Sequence, residues 1–230
     1  MKNALIIPSG GTGTRFGSKV PKQYINLEGI PIIIRTLLRF NDLDFIDFIF
    51  IALDKEWESY VTEKSQANNI TKEIIFVNSG KTRAESIKNC IKETDLYEID
   101  YLFVHDAVRC NVSKKLIKSL YASADNNCIL VPGLKSTDTI KIVKNNKIKK
   151  TLNRDEIFRI QTPQLIKKSA YKKILKKVDI FDNKYSDDAS IFEEYYEDIK
   201  VIEGDPLNIK ITDKFDYEFS KYILLNNLLD

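Results

Sequence analysis

Ala4-Leu5-Ile6-Ile7-Pro8, running straight into Ser9-Gly10-Gly11-Thr12-Gly13-Thr14-Arg15-Phe16-Gly17, is the stretch that decides the fold. A short apolar run has the length of a strand buried on both faces and is too short for a signal core or a membrane span. The four glycines after it let the chain turn tightly and bring backbone N–H groups up to an anion. Similar apolar runs recur at Phe48–Ala52, Glu73–Val77, Tyr101–His105 and Cys128–Pro132. Helical patterns fill the intervals at Pro31–Phe40, Lys55–Ala67, Arg83–Lys92 and Lys114–Ala124, followed by Lys167–Val178 and Asp213–Leu225. This alternation predicts an α/β fold with a mainly parallel, twisted sheet flanked by helices. In the 167–178 segment Ile166, Ala170, Ile174 and Val178 form the expected buried stripe, and the intervening lysines read as a solvated face.

The rhythm changes between Lys135 and Arg154. Thr139–Val143 and Lys147–Leu152 are strand-like and are separated by Asn145-Asn146, a turn signal. A β-hairpin arm, residues 136–154, is therefore expected to protrude from a single domain spanning 1–230. No repeat or low-complexity linker divides the chain.

Composition narrows the function classes. The chain has 230 residues, with 36 basic and 33 acidic side chains giving a net charge of +3. That balance supplies no electrostatic case for nucleic acid or membrane, although a local anion site needs no global charge. No 18-residue apolar stretch occurs, so a soluble chain is expected. Cys90, Cys110 and Cys128 show no C-x-x-C spacing, which argues for a reducing cytoplasm and against disulfides or zinc.

The glycine loop fits neither common phosphate motif. A dinucleotide fingerprint needs G-x-G-x-x-G, but Gly11-x-Gly13 is followed by Phe16, with Gly17 one position late. A P-loop ending at Gly80-Lys81-Thr82 would need glycine at position 75, which is Ile75. The loop is instead followed by cations, Arg15 and then Lys22 within Val20-Pro21-Lys22-Gln23-Tyr24. Arginine forks across phosphate oxygens, lysine acts as a compact charge, and the pair suits charge developing on phosphorus during in-line attack. Val104-His105-Asp106-Ala107-Val108-Arg109 ends the fourth strand at the ligand-binding edge of such a sheet. Asp106 is a candidate ligand for Mg²⁺. His105 reads as a structural hydrogen-bonder rather than a general base, since a phosphate nucleophile needs no base.

These motifs together resemble the methylerythritol-phosphate and ribitol-5-phosphate cytidylyltransferase family of nucleotidyltransferases. Its motifs occur here in order: the glycine loop with Arg15, Pro21-Lys22-Gln23-Tyr24, Gly80 with Arg83 and Ser86, and His105-Asp106-Ala107-Val108-Arg109. Then come Asp138-Thr139, Arg154, Gln161-Thr162-Pro163-Gln164, Asp187-Asp188-Ala189-Ser190, and Glu203-Gly204 with Asn208-Ile209-Lys210-Ile211-Thr212. The resemblance implies a Rossmann-like nucleotidyltransferase fold and a homodimer held by the arm. It also implies a Mg²⁺-dependent reaction of CTP with a polyol phosphate, giving a CDP-alcohol and pyrophosphate. By position, Pro8, Ser9, Gly10, Gly11, Thr12 and Gly13, with Gly80, Ser86 and Ala107, would hold cytidine and phosphates. Arg15, Lys22 and Lys210 would stabilise the reacting α-phosphate. Asp106, Arg109, Thr139 and Ser186 would line the acceptor pocket, and Arg154 would reach the acceptor phosphate in the neighbouring subunit.

Departures from the methylerythritol pattern bear on the acceptor. Ser9-Gly10-Gly11, Val108 and Asp54-Lys55-Glu56-Trp57 resemble the ribitol-phosphate enzymes, whereas Asp138-Thr139-Ile140-Lys141 resembles the methylerythritol side; Cys110 and Ser186 also depart. Ribitol 5-phosphate is accordingly the expected acceptor, with 2-C-methyl-D-erythritol 4-phosphate of isoprenoid biosynthesis as the alternative. An NAD-dependent Rossmann oxidoreductase using Asp54 to hold a ribose, and a non-catalytic nucleotide binder, are the readings from other classes.

Overall fold

The computed structural model describes residues 1–11, 20–124, 129–177, 185–193, 195 and 198–229; Thr12, Gly13, Arg15, Cys128 and Val178 lie outside them. The opening apolar run forms β1 (Asn3–Pro8), buried on both faces: Leu5 and Ile7 enter one core layer, Ala4 and Ile6 the other. The chain continues through a small ribbon, β2 (Asn26–Leu27) and β3 (Ile30–Pro31), then α1 (Ile32–Asn41), β4 (Phe48–Leu53), α2 (Glu58–Ala67), β5 (Glu73–Asn78) and α3 (Arg83–Glu93). Next come β6 (Tyr101–Val104), α4 (Lys114–Ala122), β7 (Ile129–Lys135), β8 (Lys141–Lys144), β9 (Lys147–Thr151), β10 (Phe158–Ile160) and β11 (Gln164–Lys167). The remaining elements are α5 (Lys168–Ile174), α6 (Asp188–Phe192), β12 (Ile199–Glu203) and α7 (Lys214–Leu225).

Eight strands build the main sheet in the order β10-β7-β11-β6-β1-β4-β5, with β12 also on β7. The pairs β1–β4, β1–β6, β4–β5 and β7–β12 are parallel, while β11 is antiparallel to both its neighbours and β10 is antiparallel to β7. The mainly parallel α/β expectation therefore holds. Residues of α1, α2 and α4 (Leu37, Phe40, Val61, Leu116, Leu120) cover one face; Ile87, Ile91, Tyr171, Ile174 and Phe192 of α3, α5 and α6 cover the other. No described helix is long and apolar enough to cross a membrane.

The sequence reading needs correction in two places. Ile166 belongs to β11, paired with Leu102 and Ile129, and not to the apolar stripe of the helix expected at Lys167–Val178; the helix starts at Lys168. Second, the arm strands are shorter than expected, 141–144 and 147–151, and a register irregularity falls between Ile142 and Val143. Asn145 and Asn146 both take positive φ (51° and 58°), the backbone that a two-residue hairpin turn requires. Ile142, Val143 and Ile148 are 40%, 54% and 65% exposed on this ribbon.

Candidate active site

β1, β5 and β6 all deliver their carboxyl ends to one edge of the sheet, and a cavity of about 310 Å³ opens there. It is lined by Pro8, Ser9, Gly10, Gly11, Lys22, Gln23, Gly80, Lys81, Thr82, Arg83, Ser86, Asp106, Ala107, Val108 and Lys210. A second cavity of about 370 Å³ shares Arg83, Asp106 and Lys210 with the first and adds Arg109, Ser186, Asp187 and Glu193 among its walls.

The described part of the glycine loop is tied down by the Pro21–Tyr24 turn. Gln23, buried, donates through Nε2 to the carbonyls of Ser9 (2.7 Å) and Gly11 (2.9 Å). Tyr24 stacks on Trp57 with centroids 4.0 Å apart, so Lys22 heads a turn that cannot swing away from the loop. Burial pushes the Tyr24 phenol up to about 12, and hydrogen bonding to Ser9 only partly offsets this. Gly10 packs against the end of β5: a Cβ there would lie 2.4 Å from Ser79 Cβ. Ser79 in turn donates to Asp54, so Asp54 is engaged in bracing strand ends and does not line the cavity. The oxidoreductase reading, which assigned Asp54 to a ribose, loses its anchor.

At the turn into α3, Ser86 lines the cavity, but its hydroxyl accepts from Gly80 N–H and donates to the Thr82 carbonyl, both at 3.0 Å. It shapes the loop more than it offers a free hydroxyl. Beyond β6, Asp106 is nearly buried and faces cations on all sides. Its Oδ1 lies 3.3 Å from Arg83 Nε, and its Oδ2 lies 3.1 Å from Arg109 Nε and 3.0 Å from Lys210 Nζ. Burial alone would raise the Asp106 pKa, but Arg83, Lys210 and Arg109 outweigh it and hold the carboxyl far below the usual range. With both oxygens so engaged by Arg83, Arg109 and Lys210, Asp106 does not fit the Mg²⁺ ligand expected from sequence.

His105 is fully buried and its pKa is pushed down to about 4 by that burial. The Thr162 hydroxyl accepts from Asp106 N–H (3.1 Å) and so turns its proton toward His105 Nδ1 (3.0 Å), leaving Nε2–H to donate to the Arg109 carbonyl (3.0 Å). This neutral imidazole clamps the turn that carries Asp106 and Arg109, the part of a structural hydrogen-bonder. Lys210 is placed by a second clamp. Gln161 exchanges hydrogen bonds with the Asp205 backbone (2.8 and 3.0 Å), and Asn208 donates to the Thr162 carbonyl (2.8 Å). Arg109 Nη1 also donates to the Asn208 carbonyl at 2.9 Å, joining the two clamps.

The structure thus brings Pro8, Ser9, Gly10, Gly11, Lys22, Gly80, Ser86, Asp106, Ala107, Arg109, Ser186 and Lys210 around adjoining cavities. Thr12, Gly13 and Arg15 lie outside the described residues. Thr139 and Arg154 line neither cavity within one chain; both are exposed near the base of the ribbon, where Arg154 Nη1 donates to the Thr137 carbonyl (3.4 Å). The wall residues without a sequence-assigned role include Arg83, Gln161 and Thr162. Their signal was present, in an arginine opening the helix after β5 and a Gln-Thr-Pro-Gln run, but nothing local says what such residues face.

Known proteins are similar to this chain along almost its whole length. A 2-C-methyl-D-erythritol 4-phosphate cytidylyltransferase from Dictyoglomus thermophilum is 34% identical over 222 residues, covering 95% of either chain. The bifunctional enzyme IspD/IspF of Wolbachia pipientis is 32% identical over 96% of this chain, which spans only 55% of that protein's length. Among solved structures, the 4-diphosphocytidyl-2C-methyl-D-erythritol synthase of Anaerococcus prevotii superposes with a TM-score of 0.84 at 26% identity, covering 97% of this chain and 98% of its own. These relatives favour the methylerythritol alternative over the ribitol reading drawn from Ser9-Gly10-Gly11 and Asp54–Trp57, and they leave no place for the oxidoreductase. With residues 3–226 matching the family model described as 2-C-methyl-D-erythritol 4-phosphate cytidylyltransferase, the chain belongs to the IspD family.

Proposed function

We propose that this chain transfers CMP from CTP to 2-C-methyl-D-erythritol 4-phosphate in the cytoplasm, releasing pyrophosphate. The observation that carries the reading is the pair of adjoining cavities with a shared wall of Arg83, Asp106 and Lys210. Two anionic substrates seated on either side would meet where cationic groups converge. An acceptor phosphate oxygen forms the new bond to the α-phosphorus of CTP as the α–β anhydride bond breaks and the electron pair leaves with pyrophosphate. A phosphate nucleophile needs no proton removed, which agrees with a buried, neutral His105. Lys22 and Lys210, with Arg15, are assigned to the charge that grows on the α-phosphoryl oxygens. Magnesium is assigned to the phosphates of CTP, as part of the substrate, because Asp106 is taken by cations. Asp106 is assigned to hold Arg109 facing the acceptor and Lys210 at the junction of the two cavities, and Ser186 to the acceptor side. We further propose a two-fold homodimer in which Thr139 and Arg154 of the partner subunit complete the acceptor pocket. The exposed apolar residues of the ribbon and the absence of both Thr139 and Arg154 from the cavity walls of one chain support this.

The test is pyrophosphate release with CTP and each of two acceptors, 2-C-methyl-D-erythritol 4-phosphate and ribitol 5-phosphate. Preference for the first is expected, and preference for ribitol 5-phosphate would reverse the assignment. A parallel arm with UTP reads base selection: the cytosine amino donor is assigned to backbone groups of the glycine loop and strand end, which a uracil carbonyl would leave unmatched, so UTP is expected to be poorly used.

A further inference from the structure

Arg83 is one of three residues, with Asp106 and Lys210, that line both cavities. As the first residue of α3 it stands in the wall where the two cavities adjoin. Two parts of its guanidinium are engaged within the protein. Nε lies 3.3 Å from Asp106 Oδ1, and Nη2 lies 2.8 Å from Asp188 Oδ2, an ion pair without an aligned hydrogen bond. Nη1 has no acceptor among the described residues, although an arginine carries five N–H donors in a fixed fork.

The far side of that fork is unusually well braced. Asp188 is fully buried, and its Oδ1 accepts the Tyr171 hydroxyl at 2.5 Å. Its backbone opens α6, whose capping box uses Asp187 and Ser190; Gln164 then donates to Asp187 (2.7 Å) and accepts from Ala189 N–H (2.9 Å). An isolated buried carboxylate is costly, so Asp188 requires the Arg83 charge beside it. Burial alone would lower the Arg83 pKa, but Asp188 and then Asp106 more than offset it and hold the guanidinium charged. A lysine could neutralise one carboxylate. Only a guanidinium can hold both and still present a third edge.

We propose that Arg83 is a further catalytic residue, whose Nη1 donates to the α-phosphoryl oxygens at the junction of the cavities, and that Asp188 and Tyr171 are positioning residues that hold its fork. The inference rests on the cytidylyltransferase reading above. No proton moves: Arg83 stays charged while one phosphorus–oxygen bond forms and another breaks. The contact strengthens as charge builds on the transferring group, so it acts on turnover more than on substrate affinity.

The experiment compares wild type, Arg83→Lys, Asp188→Asn, Tyr171→Phe and the Arg83→Lys/Asp188→Asn pair. It reads pyrophosphate release, together with calorimetric CTP binding in the absence of acceptor. Arg83→Lys is expected to lower kcat by roughly 100-fold, the scale for losing one preorganised donor, with CTP affinity changed less than threefold. Asp188→Asn is expected to lower kcat in the wild-type background and to add nothing once Arg83 is lysine, because it acts through the fork. Wild-type kcat in Arg83→Lys, a loss confined to CTP affinity, or an equal Asp188→Asn effect in both backgrounds would each overturn the proposal. If Asp188→Asn does not fold, Tyr171→Phe takes its place in the paired comparison. A wild-type protein that releases no pyrophosphate with any polyol phosphate overturns the reading beneath as well, which separates the two failures.

Discussion

Lys22, in the cavity wall, and His105, buried behind the turn that carries Asp106, are put to opposite uses. Lys22 faces the cavity from a turn fixed by Gln23 and Tyr24, so its charge is in place before the substrate arrives. Lys22→Ala is expected to lower kcat by roughly 100-fold, or ~3 kcal/mol of transition-state stabilisation, with a much smaller change in CTP affinity. Calorimetry with CTP alone, set beside the turnover number, separates the two effects; a collapse in affinity at unchanged kcat would contradict it. His105 acts on stability instead. The folded chain keeps it neutral down to about pH 4, whereas an exposed imidazole in the unfolded chain protonates from about 6.5. Between those values the unfolded state binds more protons, so stability present at neutral pH is lost as pH falls from 6.5 to 4, by about 3 kcal/mol in full. Urea unfolding of wild type and His105→Gln at pH 7 and pH 4.5 measures the difference; equal pH dependence in the two would show that the buried ring is not the cause.

Gly10 and β11 belong to the scale of whole elements. β1 and β5 can bring their ends together only because position 10 has no Cβ, which would meet the Ser79 side chain at 2.4 Å. Gly10→Ala is expected to force the loop outward, cost about 1–3 kcal/mol of stability and weaken CTP binding. Thermal unfolding and CTP calorimetry check it, and unchanged values in both would mean the loop yields freely. Strands buried on both faces, such as β1, β4 and β6, are legible as short apolar runs, and so is the Asn145-Asn146 turn. Gln164-Leu165-Ile166-Lys167 is not. It is only four residues long, and Ile166 also fits the four-residue spacing of α5, so helical periodicity absorbs it. β10 and β12 are hidden for a related reason: three exposed residues and a half-exposed edge strand give no alternation to read.

At the scale of the whole molecule, the motif residues at strand ends were readable as a phosphate site, because glycine loops and their cations announce their chemistry locally. The Arg83–Asp188–Tyr171 brace was not, since three distant segments supply it. If Thr139 and Arg154 cross a two-fold axis, mixing Arg154→Ala subunits with Lys22→Ala subunits creates heterodimers with one doubly damaged and one intact site. Activity is then expected to return to about half per heterodimer. No recovery, with subunit exchange confirmed by mass, would keep Arg154 in its own subunit's site. The central position of β11 also governs the order in which the molecule can be made. β6 and β7 are separated by a strand that comes later in the chain, at residues 164–167. A nascent chain emerging from the ribosome therefore exposes a gap in the middle of its sheet until about three quarters of it has been synthesised. Folding of the two sides must wait for, or be reopened by, the arrival of that strand, and this interval is when the growing chain is most open to mispairing and to chaperones.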